Sequence, residues 1–252
     1  MAIVLLTAAS ASTAADWKVE KGDHFIVHYK TNEAFAKQVR FAADRAYGRI
    51  SGELGLERAS DFWSWDSRVK IYIYADIDSF RAGTGQPEWS RGVASFSDHT
   101  ISTFAGADGF LEGILPHEMT HLIFRDFVGF KGEVPLWLDE GVAQWEEPAK
   151  RVYARQVAAY LVKENKAYSL AELTTMDIRG SKDEQAVHHF YMQSVSVVDF
   201  LVRTYGARTF TQFCRELRDG RTLAAALKAA YPETLSDLEK LEKAWGKYAL
   251  SN

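Results

Sequence analysis

Between Ile114 and Phe124 the chain reads ILPHEMTHLIF, with His117 and His121 four residues apart and Glu118 directly behind the first. Residues four apart share one face of an α-helix, so the two imidazoles can be presented to one metal ion. Ile114, Leu115, Leu122 and Ile123 supply apolar side chains to bury the back of such a helix. Glu118 lies beside the histidine pair, which places it to take a proton from water rather than to fill a ligand position. A catalytic zinc site needs three protein ligands and an open position. A second element carrying a third donor must therefore pack against the histidine face, and this requirement limits the fold more than any other feature of the chain.

The 252 residues, 47% of them hydrophobic, suffice for one large domain or two lobes around a sizeable core. The formal net charge of −4, without a long run of like charges, gives no electrostatic drive toward nucleic acid. Residues 1–15 form a short apolar run followed by Ala-x-Ala patterns, similar to the core and cleavage site of a secretory signal, although no Lys or Arg precedes the run. Export, to a periplasm or beyond the cell, is the expectation drawn from it. The run falls short of the about 20 apolar residues a membrane span requires, and no later stretch qualifies. The single cysteine, Cys214, cannot form an internal disulfide and sits on a helical pattern as a buried thiol.

The pattern of apolar residues predicts an α+β fold. HFIVHYK alternates as a half-buried strand, and Asn32 to Leu56 carries helical spacing that ends at Gly55 and Leu56. RVKIYIYAD is the clearest strand, followed by RGVASF and HTISTFA on either side of the turn-like SDH. From Leu111 onward the spacing is helical, with a break near Pro148 and at least two or three further helices after residue 183. The expected organisation is a leader at 1–15, a mixed α/β lobe with a small sheet at 16–110, and a mostly helical part at 111–252. The histidine motif falls at the junction, and the whole forms one catalytic unit.

The third donor has two common sources. In the metzincin pattern His121 would be followed by Gly three residues on and His six residues on, but Phe124 and Phe127 occupy those places. The other source is a glutamate on a neighbouring helix, and PLWLDEGVAQWEE supplies candidates about twenty residues later. The pair HEMTHLIF and VPLWLDEGVAQWEE resembles the gluzincin metallopeptidases, in particular the peptidase MA-like domains. There, HExxH is followed by W-L-x-E-G-x-A, whose glutamate is the third zinc ligand. The resemblance implies that His117, His121 and Glu140 hold Zn2+ and that Glu118 is the general base of peptide hydrolysis. Asp139, Glu146 and Glu147 are then solvated carboxylates or supports for the ligands.

The resemblance reaches outward over roughly residues 69–206. It implies that HTISTFA, from Ile101 to Phe104, is the edge strand along which an extended peptide or protein substrate pairs. FYMQSVSVVDFLVRTYG is similar to the family's Y-x-x-S helix. Tyr191 is the first candidate to donate a hydrogen bond to the oxyanion, with His188 or His189 second. Residues 17–68 and the C-terminal helices carry no motif of this family. A zinc-retaining protein that binds without turnover, and a zinc hydrolase of a non-peptide amide or ester, are the competing readings. Among the other residues, His24 and His28 share a strand face if both lie in one strand, and His99 falls in a hairpin turn facing solvent. The cluster around Trp63 and Trp65 suits a loop tucked against the sheet better than a carbohydrate platform.

Overall fold

A computed structural model describes residues 17–55, 63–128 and 134–251. The leader at 1–15 lies outside these residues, as do Asp61 and Phe62 and the side chain of Trp65 in the tryptophan cluster. The chain is α+β, with a five-stranded sheet toward the N-terminus and a helical C-terminal part. No helix of the described residues is long and apolar enough to cross a membrane.

Strand β1 (Lys18–Lys21) pairs antiparallel with β2 (Phe25–Tyr29), whose Phe25, Val27 and Tyr29 alternate inward. Helix α1 (Glu33–Glu53) starts where the Asn32 side chain accepts from the Phe35 N–H, and it buries Ala36, Val39, Ala43, Tyr47 and Ile50 at helical spacing. It carries the chain to β3 (Val69–Tyr74), parallel to β2, with Val69, Ile71 and Ile73 on the same buried face. A short α2 (Ile77–Thr84), opened by an Asp76–Ser79 capping box, leads to β4 (Gly92–Ser95) and β5 (Thr100–Phe104).

The sheet order is β1-β2-β3-β5-β4. Strand β5 is hydrogen-bonded on both sides, parallel to β3 and antiparallel to β4. This corrects the expectation that Ile101–Phe104 forms the edge: among the described residues the edge next to the zinc-motif helix is β4. The hairpin returns β5 into the open place beside β3, where its apolar Ile101 is fully buried, and leaves the smaller-residue strand GVAS outside.

A π-helical turn (Phe110–Ile114) feeds α3 (Leu115–Val128), with Pro116 in the first turn, where a missing N–H costs nothing. Next come α4 (Leu136–Trp145) and α5 (Pro148–Lys163), separated at Glu146 and Glu147 ahead of the proline, then α6 (Leu170–Thr175). The long α7 (Glu184–Tyr205) is the spine of this part, with Phe190, Val195, Val197, Val198 and Leu201 fully buried. Each such side chain contributes about 1.5–3 kcal/mol by leaving water. Helices α8 (Ala207–Arg218), α9 (Leu223–Ala230) and α10 (Leu238–Ser251) close the chain, and Cys214 is buried in α8 as expected.

Candidate metal centre

Helix α3 packs against α1, α4 and β4 with Leu115, Met119, Leu122 and Ile123 fully buried, and His117, Glu118 and His121 face α4 and the β4 edge. Helix α4 approaches from the other side and brings Glu140. Its depth is set at Gly141, where a Cβ would lie 2.9 Å from the Ser194 carbonyl oxygen of α7. Any side chain there would push α4 off α7 and carry Glu140 with it, which is the physical reason for glycine after the glutamate.

The two imidazole Nε2 atoms stand 3.2 Å apart, and Glu140 Oε2 is 3.8 Å from that of His117. One donor atom from each of the three residues lies within 4.8 Å of the others. Both imidazoles are gripped from behind. His117 Nδ1 is 3.1 Å from Glu147 Oε1, and His121 Nδ1 is 3.0 Å from Asp139 Oδ1. Each Nδ1 proton then belongs to a carboxylate, so both Nε2 lone pairs point forward. Lys150 fixes Glu147 at 2.8 Å and Arg125 fixes Asp139 at 2.6 Å.

The carboxylates of Asp139, Glu140 and Glu118 favour positive charge at His121. Burial works against a charged His121, yet the hydrogen bond and charge of Asp139, aided by Glu140 and Glu118, carry its pKa up to about 9. Asp139 and Glu147 are themselves held below the ordinary carboxylate range, against burial, by their histidine partners together with Arg125 and Lys150. The spacing of the two nitrogens fits a tetrahedral metal ion, with Glu140 as the adjacent third donor. Bonds of about 2.0–2.1 Å at a tetrahedral angle put two nitrogens roughly 3.3 Å apart.

A family model for the peptidase MA superfamily matches residues 62–251, about three quarters of the chain. The chain belongs to the peptidase MA superfamily. A comparison with curated proteins finds no match. Membership in the peptidase MA superfamily accounts for the metallopeptidase-like fold, and the match runs through the C-terminal helices that the motifs alone left unassigned.

Other predicted residues of this peptidase MA chain fall as follows. Glu118 lines the recess in front of the histidines, and its Oε2 accepts the Ala94 N–H of β4 at 2.9 Å. Tyr191 on α7 is half-buried, and its pKa is pushed up to about 12 by burial and by the charge of Glu140, so its phenol stays a donor. His188 lies tilted against Tyr153 and His189 against His188, and no hydrogen bond ties either to the metal centre among the described residues. Glu146 is not solvated: it is fully buried between Arg49 and Arg151. His24 and His28 do not share a face, since His24 stacks on Tyr47 of α1 and His28 on Tyr72 of β3. His99, 37% exposed, also reaches back to Asp126 at 3.1 Å, and Trp63, buried against Phe25, donates to the same carboxylate at 2.8 Å. The contributions of Asp139, Glu147, Arg125 and Ala94 to one site were not assignable from spacing; only the acidic flanks of W-L-x-E-G hinted at the first two.

Proposed function

We propose that the protein is a gluzincin-type zinc peptidase in which His117, His121 and Glu140 hold the ion and Glu118 is the general base. The observation that carries this reading is the pair of forward-facing Nε2 atoms, each locked by a carboxylate at Nδ1, with Glu118 held beside them by the edge strand. A divalent ion at this place supplies Lewis acidity, which polarises a carbonyl and acidifies water near neutral pH.

The chain's own groups do the rest. Glu118 is anchored through one carboxylate oxygen on Ala94, leaving the other to accept the proton of the attacking water and return it to the leaving amine. Tyr191, kept protonated, is the donor for the developing oxyanion. Strand β4, in place of β5, is the sheet edge beside which an extended peptide adds as a strand, with its Ala94 N–H held by Glu118. The signal-like residues 1–15 support an exported enzyme acting on peptides or proteins outside the cytoplasm.

Metal analysis and a peptide-library digest of three proteins test the proposal. Wild type is expected to hold about one zinc and to cut peptides. Glu118→Gln should keep zinc and lose about 10³-fold in turnover, and Glu140→Ala should lose both. Zinc retained in Glu140→Ala would assign the third ligand elsewhere, and wild-type turnover in Glu118→Gln would remove the base.

A further inference from the structure

On α3, Glu118, His121 and Arg125 follow at spacings of three and four, so they share the face that opens on the metal centre. With Phe96, Asp139 and Glu140 they line one recess of about 270 Å³. Arg125 is 30% exposed, and its Nη2 donates to Asp139 Oδ2 at 2.6 Å. Its Nε and Nη1 meet no acceptor among the described residues, and the guanidinium lies 6.0 Å from the centre of the Phe96 ring. A guanidinium offers donors in a planar fork that fits a carboxylate through two parallel bonds. Asp139 does not complete that fork, because its other oxygen is committed to His121. Arg125 is thus a half-used cation in a recess whose carboxylate walls are Glu118, Asp139 and Glu140.

We propose that Arg125 determines specificity by receiving a substrate carboxylate held close to the scissile bond. The inference rests on the peptidase reading of the site. Two helical turns separate Glu118 from Arg125, about 10 Å along the axis. An extended peptide advances about 3.3 Å per residue, so a carboxylate within about three residues of the cut spans that interval. Asp and Glu side chains and the peptide's own C-terminus carry the same planar acceptor, and both are candidate sources.

The test is a library digest by zinc-loaded wild type, Arg125→Gln, Arg125→Lys and Arg125→Glu, with the peptides supplied as C-terminal acids and as amides. The quantity read is the ratio of kcat/KM for acidic over neutral peptides within one enzyme. That ratio cancels any loss of folded or metal-loaded protein caused by depriving Asp139 of its partner. Wild type should favour carboxylates near the cut, and the ratio should fall about ten-fold in Arg125→Gln, as expected for a charge-assisted bond at a partly open site. Arg125→Lys should retain part of the preference, and Arg125→Glu should turn it toward Lys and Arg. A preference that survives amidation assigns the side chain as the source, and one confined to free acids assigns the terminus. Cleavage without charge preference, or a preference unchanged in Arg125→Gln, overturns the role of Arg125. A wild type that holds zinc and cuts nothing overturns the peptidase reading, and this inference with it.

Discussion

Two carboxylate clusters in this molecule use the same residue types and end in opposite states. Asp199, fully buried on α7, accepts from Trp145 of α4, Arg155 of α5, Arg203 of its own helix and Tyr248 of α10, at 2.7–2.8 Å. Burial pushes its pKa up, but these donors hold it below the ordinary range. At the metal centre the outer carboxylates, Asp139 and Glu147, are similarly engaged, while Glu140 meets no hydrogen-bond donor among the described residues and two Nε2 atoms face it. Saturation marks a clamp between helices, and surplus acceptor capacity converging on a point marks a ligand site.

The largest effect separating the two comes from Asp199→Ala, which strands Arg155, Trp145 and Tyr248 around an empty position. Urea unfolding should show a loss of about 3 kcal/mol, with zinc per folded chain unchanged. Zinc lost in step with stability would mean the clamp and the site are one unit. Asp139→Ala should do the reverse, weakening zinc binding about ten- to a hundred-fold in a chelator titration while costing the metal-free protein less than Asp199→Ala does. Equal destabilisation by the two variants would erase the distinction.

The third and smallest effect concerns Glu146, which stands between the two clusters in character. It is fully buried, Oε2 faces Arg49 and Arg151, and Oε1 has no partner among the described residues. Burial lifts its pKa from 4.5 to about 7, with Glu53 adding to the rise and the two arginines opposing it. The folded chain therefore keeps a proton that the unfolded chain releases. Its contribution is full below pH 4.5 and is lost as pH rises through about 7. Urea midpoints of the metal-free protein should fall across that window, and Glu146→Gln should flatten the fall. An identical slope in the variant would assign the pH dependence to other groups.

Legibility in the sequence followed the range of the interactions. The α3 motif, the α4 glutamate with its glycine and the break before Pro148 are local patterns, and each appears at the expected place. Strand β1 and helix α2 leave no signature because KVEK and IDSFRAGT are too short and too polar to show a period. The place of β5 is not legible for a different reason: alternation tells which side chains face inward but says nothing of which neighbour a strand takes. Glu146 and Glu147, adjacent in sequence, carry the same side chain, and no local pattern tells a solvated acid from a support for the ligands. The turn between α4 and α5 sends one to His117 and the other under Arg49 of α1.

The sequence by itself determined that two imidazoles share a helix face with one carboxylate beside them, because the spacing of side chains on an α-helix depends on nothing beyond the helix. It also carried, in WLDEG, the donor and the glycine that lets that donor approach. Only the tertiary structure decided that β4 forms the edge, that Asp139 and Glu147 aim the imidazoles, and that Arg125 reaches the same recess. Those outcomes depend on how segments tens of residues apart pack together, and packing is set by shape and burial that no local pattern encodes.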